Sequence, residues 1–591
     1  MTETENKTCQ NCHKEFTIEA EDFDFYKKID VPAPTWCSEC RFKRRLVFRN
    51  ERKLFWNTDA RNNKKLLSLY PPDSRKKIYP DSFWWSDEWD PMNYGKEYDP
   101  THPFLEQVEE LSRFVPVYAR DVLTEVNSQY SANASELKNC YLLFNSNISE
   151  DCAYGNGVDR SRNCFDSSHI AKCERCYDSF WLVGCYQTDF SVDCEDCNNV
   201  WLSKNCRGCS NCVGCVNLRM KKYCVFNKQY TKEEYEKQLV GLKLDTYNGL
   251  IEARAQAKKF WNTFPNKYLN GTHNENVSGA YISYSKNVRG SYLIRESENL
   301  KYVQYSQVPF SKDVYDTTLT GNKAELMYEN VVCGWGGYNV KFSYECWPDI
   351  RNIEYSMFCG SSSDLFGCVG LHKKQYCILN RQYTKEDYEK LKKRIIEDME
   401  KAPYIDKQGR RYGYGEFFPM EISPFAYNQT IAPEHRPLTK GMALAQGFRW
   451  QDPDPREYKI TMKASDLPQS TKEVLQTIFE EIIQCERCKR AYRLMPQEIE
   501  FLQKERIPLP HLCVDCRHTD RISSRIPNAL YRRTCQCAGS HEANSKGQMV
   551  YQNTATHTHG DQPCPNEFET SYAPDRPEIV YCEQCYQSEI V

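Results

Sequence analysis

Small apolar residues recur at fixed intervals through the middle of the chain, separated by polar ones. Cys152, Cys173, Cys194 and Cys215 share a spacing of 21; Cys164, Cys185 and Cys206 form a second such series, and Cys176 and Cys197 a third. Phe180 and Trp201 keep the same interval, within β-prone stretches such as FWLVGC and VWLSKNC that Asn, Asp, Ser and Gly interrupt. A fixed period near 20 with short strands signals a solenoid. With about seven residues per side, the pattern predicts a three-sided right-handed parallel β-helix over 131–230, its coils about 4.8 Å apart.

A second block, 276–383, repeats the unit with few cysteines. Ser285-Lys-Asn-Val288, Ser297-Glu-Asn-Leu300 and Ser311-Lys-Asp-Val314 echo Ser149-Glu-Asp-Cys152 and Ser161-Arg-Asn-Cys164. Val and Leu in place of Cys mark an inward apolar position, so the ladder cysteines read as core filler. Both blocks close alike, with KKYCVFNKQYTKEEYEKQL around Cys224 and KKQYCILNRQYTKEDYEKL around Cys377. Thr231 with Glu234, and Thr384 with Asp387, predict helix starts. The apolar stripes Tyr235, Leu239, Leu242 and Tyr388, Leu391, Ile395 predict helices that cover the open ends, within a helical insert at 231–275 and a capping helix at 384–405. Residues 406–475, rich in proline and aromatics, are too apolar for a free linker and read as an extended wrapping segment.

Composition changes this picture by adding metal. The chain has 591 residues, 78 basic and 81 acidic side chains, 27% charged and 40% hydrophobic residues, and 31 cysteines. An odd cysteine count, repeated C-x-x-C pairs and no basic-then-apolar leader at MTETENKTCQNC point to reduced, metal-holding thiols in a cytoplasmic protein. No run of apolar residues is long enough to predict a membrane span, and the net charge of −3 confines any nucleic-acid contact to local patches.

Cys9, Cys12, Cys37 and Cys40 form the pattern C-x2-C-x24-C-x2-C, and Cys485, Cys488, Cys513 and Cys516 repeat it without change. A shift of 476 also aligns Phe16 with Tyr492, Phe25 with Phe501, and Pro32 and Pro34 with Pro508 and Pro510. Four thiolates complete a tetrahedral zinc shell, so two structural sites are expected in modules 1–53 and 476–534. The arrangement resembles the treble-clef or zinc-ribbon domains of uncharacterised bacterial multi-zinc proteins, over the two cysteine modules alone; the resemblance implies binding of nucleic acid or protein. Behind the second pair of each module, Arg41, Arg45, Arg49 and Arg52, and Arg517, Arg521 and Arg525, fall at helical spacings. Such rows suit a phosphate backbone; the plainer reading is a solvated face or pairing with Glu21, Asp22 and Glu498.

Residues 535–591 hold Cys535, Cys537, Cys564, Cys582 and Cys585, with His541, His557 and His559 between. A third zinc ribbon is expected there, using Cys582 and Cys585, two of the other three cysteines, and a histidine as substitute. Its twin at 54–130 has Asp59, Arg61, Pro80 and Phe83 in the metal positions, which predicts a metal-free ribbon held by the packing of Trp84, Trp85 and Trp89. Within CRGCSNCVGC, Cys206, Cys209, Cys212 and Cys215 stand three apart, a run similar to ferredoxin spacing but without its final interval and proline. Packed thiols are favoured there over an iron–sulfur centre. No nucleotide, metalloprotease or serine-hydrolase motif is present. The expected function is a non-catalytic zinc scaffold that binds nucleic acid, structured RNA above all, through the arginine faces. A protein adaptor using the solenoid surface is the first alternative. A β-helix enzyme on polysaccharide, with acids such as Asp189 and Asp193, is the second.

Overall fold

The computed structural model describes residues 4–306, 310–452, 458–474, 476–539 and 551–590. They form two compact units that cut across the order of the chain. The first joins 1–121 with 269–452 and the short stretch 527–530; the second joins 122–268 with 453–526 and 531–591. Each unit therefore contains one ladder of parallel strands, one C-x-x-C module and one ribbon. The fold is mainly β, and among the described residues no helix is long and apolar enough to cross a membrane.

In the second unit's ladder, strand partners stand twelve positions apart in the chain rather than at the interval of the cysteine series. Asn156 pairs with Ser168, Ser168 with Phe180 and Phe180 with Val192, all parallel; Asn198, Ser210 and Lys222 continue at the same step. Every third residue faces inward, so one step contributes Cys140, Leu143, Ser146 and Ser149, all buried. The residue before each of these, Asn139, Leu142, Asn145 and Ile148, has φ between 49° and 54°. Asn and Asp tolerate that left-handed backbone better than most residues, which explains their frequency beside the cysteines. The apparent interval and the true step are both multiples of three. Cysteines related by the apparent interval are thus all inward-facing, but they belong to different positions of the step. The rows that stack are Cys140, Cys152, Cys164 and Cys176.

The inward thiols are engaged with the backbone. Cys152 Sγ donates to the Glu150 carbonyl at 3.2 Å, and Cys215 Sγ to the Val213 carbonyl at 3.4 Å. Cys206, Cys209 and Cys212 make the same bond to the carbonyl two residues before each of them.

The first unit's ladder runs Val288, Leu300, Val314, Met327, Val340, Ile353, Leu365 and Cys377, with steps of twelve to fourteen positions. These residues are buried in the row that cysteines occupy elsewhere. Both ladders end in the same device. Asn227 Oδ1 accepts from the Val216 amide at 2.9 Å and Asn380 Oδ1 from the Val369 amide at 2.7 Å, while each Nδ2 donates to the same residue's carbonyl. The side-chain amide replaces a missing strand partner for a buried peptide group. Helices Lys232–Leu242 and Lys385–Lys401 follow, capped by Thr231 and Thr384 and seated through the pairs Tyr235–Tyr223 and Tyr388–Tyr376.

In the first unit, Trp84 packs edge-on against Trp85 at 4.7 Å and donates its Nε1 to the Pro116 carbonyl. His372 lies against both indoles, at 4.8 and 5.2 Å. Burial, helped by Lys373, lowers its pKa from 6.5 to about 4. Between those values the unfolded chain takes up a proton that the folded unit refuses, so this group withdraws stability as pH falls from 6.5 toward 4 and has no effect above that window. We expect His372→Phe to flatten that part of the stability profile relative to wild type; unfolding midpoints measured for both proteins from neutral pH down through this window check it.

Candidate metal centres

Each C-x-x-C module is built from two tight turns. The His13 amide donates to the Cys9 carbonyl at 2.9 Å with His13 at φ 57°, and the Lys489 amide to the Cys485 carbonyl at 3.1 Å with Lys489 at φ 62°. Cys37 and Cys513 stand just before helices Ser38–Leu46 and Val514–Ser523, and their amides donate to Cys9 Sγ and Cys485 Sγ, each at 3.3 Å. The four sulfurs of each module lie within 4.8 Å of one another. Zinc–sulfur bonds of about 2.3 Å in a tetrahedron separate ligand sulfurs by about 3.8 Å. Cys12–Cys37 and Cys485–Cys516 are 3.8 Å apart, and Cys488–Cys513 3.6 Å. The residues fit a metal ion held by four thiolates, with zinc as the matching chemistry.

The C-terminal ribbon brings together more than one ligand set. Cys535, Cys564, Cys582 and Cys585 form one group, and Cys537, His557, His559 and Cys585 form another, with Cys585 in both. His541 lies outside the described residues. In the twin ribbon the Gln536–Val580 backbone bond, 3.0 Å, recurs as Ala60–Ile78, 2.9 Å. The metal positions there are filled by charge and an aromatic face: Arg61 pairs with Asp59 at 2.7 Å and its guanidinium lies 4.0 Å above the Phe83 ring. That ion pair and cation–π contact occupy the centre, and the Tyr79 ring links Phe83, at 5.0 Å, to Trp89, at 5.5 Å.

The arginine rows, read from the sequence as a candidate phosphate-binding face, turn inward. Arg41, Arg45, Arg49, Arg517, Arg521 and Arg525 are buried and Arg52 is half-buried. In the first unit, Asp316 takes Arg41 at 2.7 Å and Arg45 at 3.1 Å, Glu329 takes Arg44 at 3.0 Å, and Glu345 takes Arg49 at 3.0 Å. Glu416, from the 406–475 segment, closes the other side of Arg44 at 2.7 Å. Burial alone would discharge Arg44; Glu329 and Glu416 outweigh it and hold the guanidinium pKa above its ordinary value. The second unit repeats the arrangement. Asp166 takes Arg517 at 2.6 Å and Arg521 at 2.9 Å, and Glu498 takes Arg517 at 2.6 Å. Arg45 and Arg521 further donate to the carbonyls of Tyr302 and Tyr154. Phe25 stacks on Tyr315 as Phe501 packs on Phe165. Of the local acids weighed from the sequence, Glu498 pairs with its row, whereas Asp22 pairs with Lys301 at 2.7 Å.

The carboxylates Asp166, Asp316, Glu329 and Glu345 escaped the sequence reading because each lies far along the chain from the arginine it meets. Asp166 and Asp178, one ladder step apart, both reach Arg521; with the correct step that spacing was a readable signal. No protein-family model matches this chain, and no curated protein matches it in sequence.

Removing one member of a buried ion pair leaves its partner charged and desolvated. Asp316→Asn and Asp166→Asn are each expected to cost about 3 kcal/mol of stability in their own unit. Thermal unfolding checks the loss, and zinc content should stay at the wild-type value.

Proposed function

We propose that the chain is a non-catalytic, zinc-held scaffold that offers the outer surface of its two ladders to a protein partner. In this reading each ladder winds as a right-handed β-solenoid with four short sides per turn, each ending at an inward-facing residue. One observation carries the choice of a holding role: among the described residues every candidate metal group supplies four protein ligands and so leaves no position for water or substrate. Thiolate and imidazole donors in tetrahedral sets favour zinc over the harder divalent ions. Asp189 and Asp193, which a polysaccharide-cleaving enzyme would need as acids, serve the fold. Asp189 accepts from the Tyr177 amide at 2.7 Å and Asp193 pairs with Arg207 at 3.0 Å.

A protein partner is favoured over structured RNA because the arginines that suited phosphate are consumed in internal ion pairs and the net charge of −3 supplies no general attraction. The test is binding of the zinc-loaded chain to labelled RNA and DNA pools over a range of salt, beside capture of partners with and without nuclease. We expect no steep salt-dependent nucleic-acid affinity and a partner that survives nuclease and moderate salt. Affinity that falls steeply with salt, together with capture abolished by nuclease, overturns the reading.

A further inference from the structure

We infer that the C-terminal ribbon holds two metal ions joined through the Sγ of Cys585. Five cysteines and two histidines converge here, too many for one tetrahedral ion, and they divide into two complete sets with one shared member. The ligand atoms of each set lie within 4.8 Å of one another, near the tetrahedral edges of about 3.8 Å between sulfurs and about 3.6 Å between sulfur and nitrogen for zinc bonds of about 2.3 and 2.05 Å. Cys564 Sγ lies 3.9 Å from Cys582 Sγ in the first set. In the second, Cys537 Sγ is 3.3 Å from both His557 Nδ1 and His559 Nε2, and His559 Nε2 is 3.3 Å from Cys585 Sγ.

The imidazoles are oriented for ligation. His557 Nε2 lies 3.1 Å from Glu589 Oε2, and His559 Nδ1 lies 2.6 Å from the Gln562 carbonyl. Each ring thus has its outer nitrogen engaged by an oxygen acceptor and the inner one free to bind metal, the usual support for a metal-bound histidine. Glu589 is fixed in turn by the Thr554 amide at 2.6 Å and the Tyr551 hydroxyl at 3.1 Å.

Charge points the same way. One dication with four thiolates carries −2 and leaves Cys537 and both imidazoles with no metal to face. A second dication binds deprotonated Cys537 and brings five thiolates and two ions to −1, with the thiol protons released to solvent. A sulfur that bridges two ions uses two lone pairs of one thiolate. The twin ribbon keeps a permanent cation at the equivalent place, where Arg61, matching Cys537, lies between Asp59, matching Cys535, and Phe83, matching Cys585.

The test uses the full chain loaded with zinc and freed of excess metal, with metal per chain determined by elemental analysis. We expect four ions, one for each ligand group; the double variant His557→Ala/His559→Ala should hold one fewer. Cadmium-113 NMR of the substituted wild-type protein should show two C-terminal resonances, one sulfur-only and one mixed sulfur–nitrogen, coupled to each other through the shared sulfur. Three ions in the wild type, an unchanged content in the variant, or two C-terminal cadmium signals without mutual coupling overturns the proposal. The NMR measurement needs no variant, so it decides the matter even if the histidine substitutions prevent folding.

Discussion

The architecture of each unit centres on a buried ladder carboxylate whose counter-ions, among the described residues, are two arginines. Asp316 and Asp166 are buried on their ladders, and a desolvated carboxylate is tolerable only when paired. Each is met by two arginines, Arg41 with Arg45 and Arg517 with Arg521, delivered one helical turn apart by the helix that starts within the second C-x-x-C pair. That pairing requires the helix to present one face in one orientation. The orientation is set by the zinc-compatible cluster, because the cysteine just before the helix and the one in its first turn belong to the ligand set. Metal group, helix and ladder are therefore coupled. The thiolates fix the helix, the helix fixes the arginines, and the arginines neutralise the acids of the ladder.

The two units show the same construction with different solutions at one position. Where the C-terminal ribbon gathers cysteines and histidines, the twin places Asp59, Arg61 and Phe83. Both places suit positive charge, supplied in the twin by the Arg61 guanidinium and in the C-terminal ribbon by any ion that its ligand sets would hold. Likewise the row held mostly by cysteine in one ladder is held mostly by Val, Leu, Ile and Met in the other, since a small thiol bonded to a nearby carbonyl and an aliphatic side chain meet the same packing requirement.

Much of this was legible in the residues. The C-x-x-C spacing, the matching shift of 476 and the capping positions Thr231 and Thr384 are local, and local geometry follows from local sequence. The ladder step was hidden for an equally physical reason. Inward residues recur every third position, so any multiple of three yields an apparent cysteine period, and only the hydrogen-bonded register distinguishes the true step from the apparent one. The arginine rows show the complementary failure. Arg41 and Arg45, and Arg517 and Arg521, do share a helix, whereas Arg49, Arg52 and Arg525 lie beyond the helix ends; and spacing, even where it identifies a face, says nothing of what lies opposite it.

The sequence by itself determined which residues gather at short range: thiol pairs on tight turns, arginines on one face of a helix, asparagine before many of the inward residues. The tertiary structure alone decided what those groups meet. It placed the first C-x-x-C module in one unit with the second ladder and the last module in the other unit with the first ladder, and so converted an arginine face suited to phosphate into a buried ion-pair cluster. The reason is that a charge is assigned its partner by proximity in space, and the partners Asp316 and Asp166 stand hundreds of residues from the arginines they neutralise.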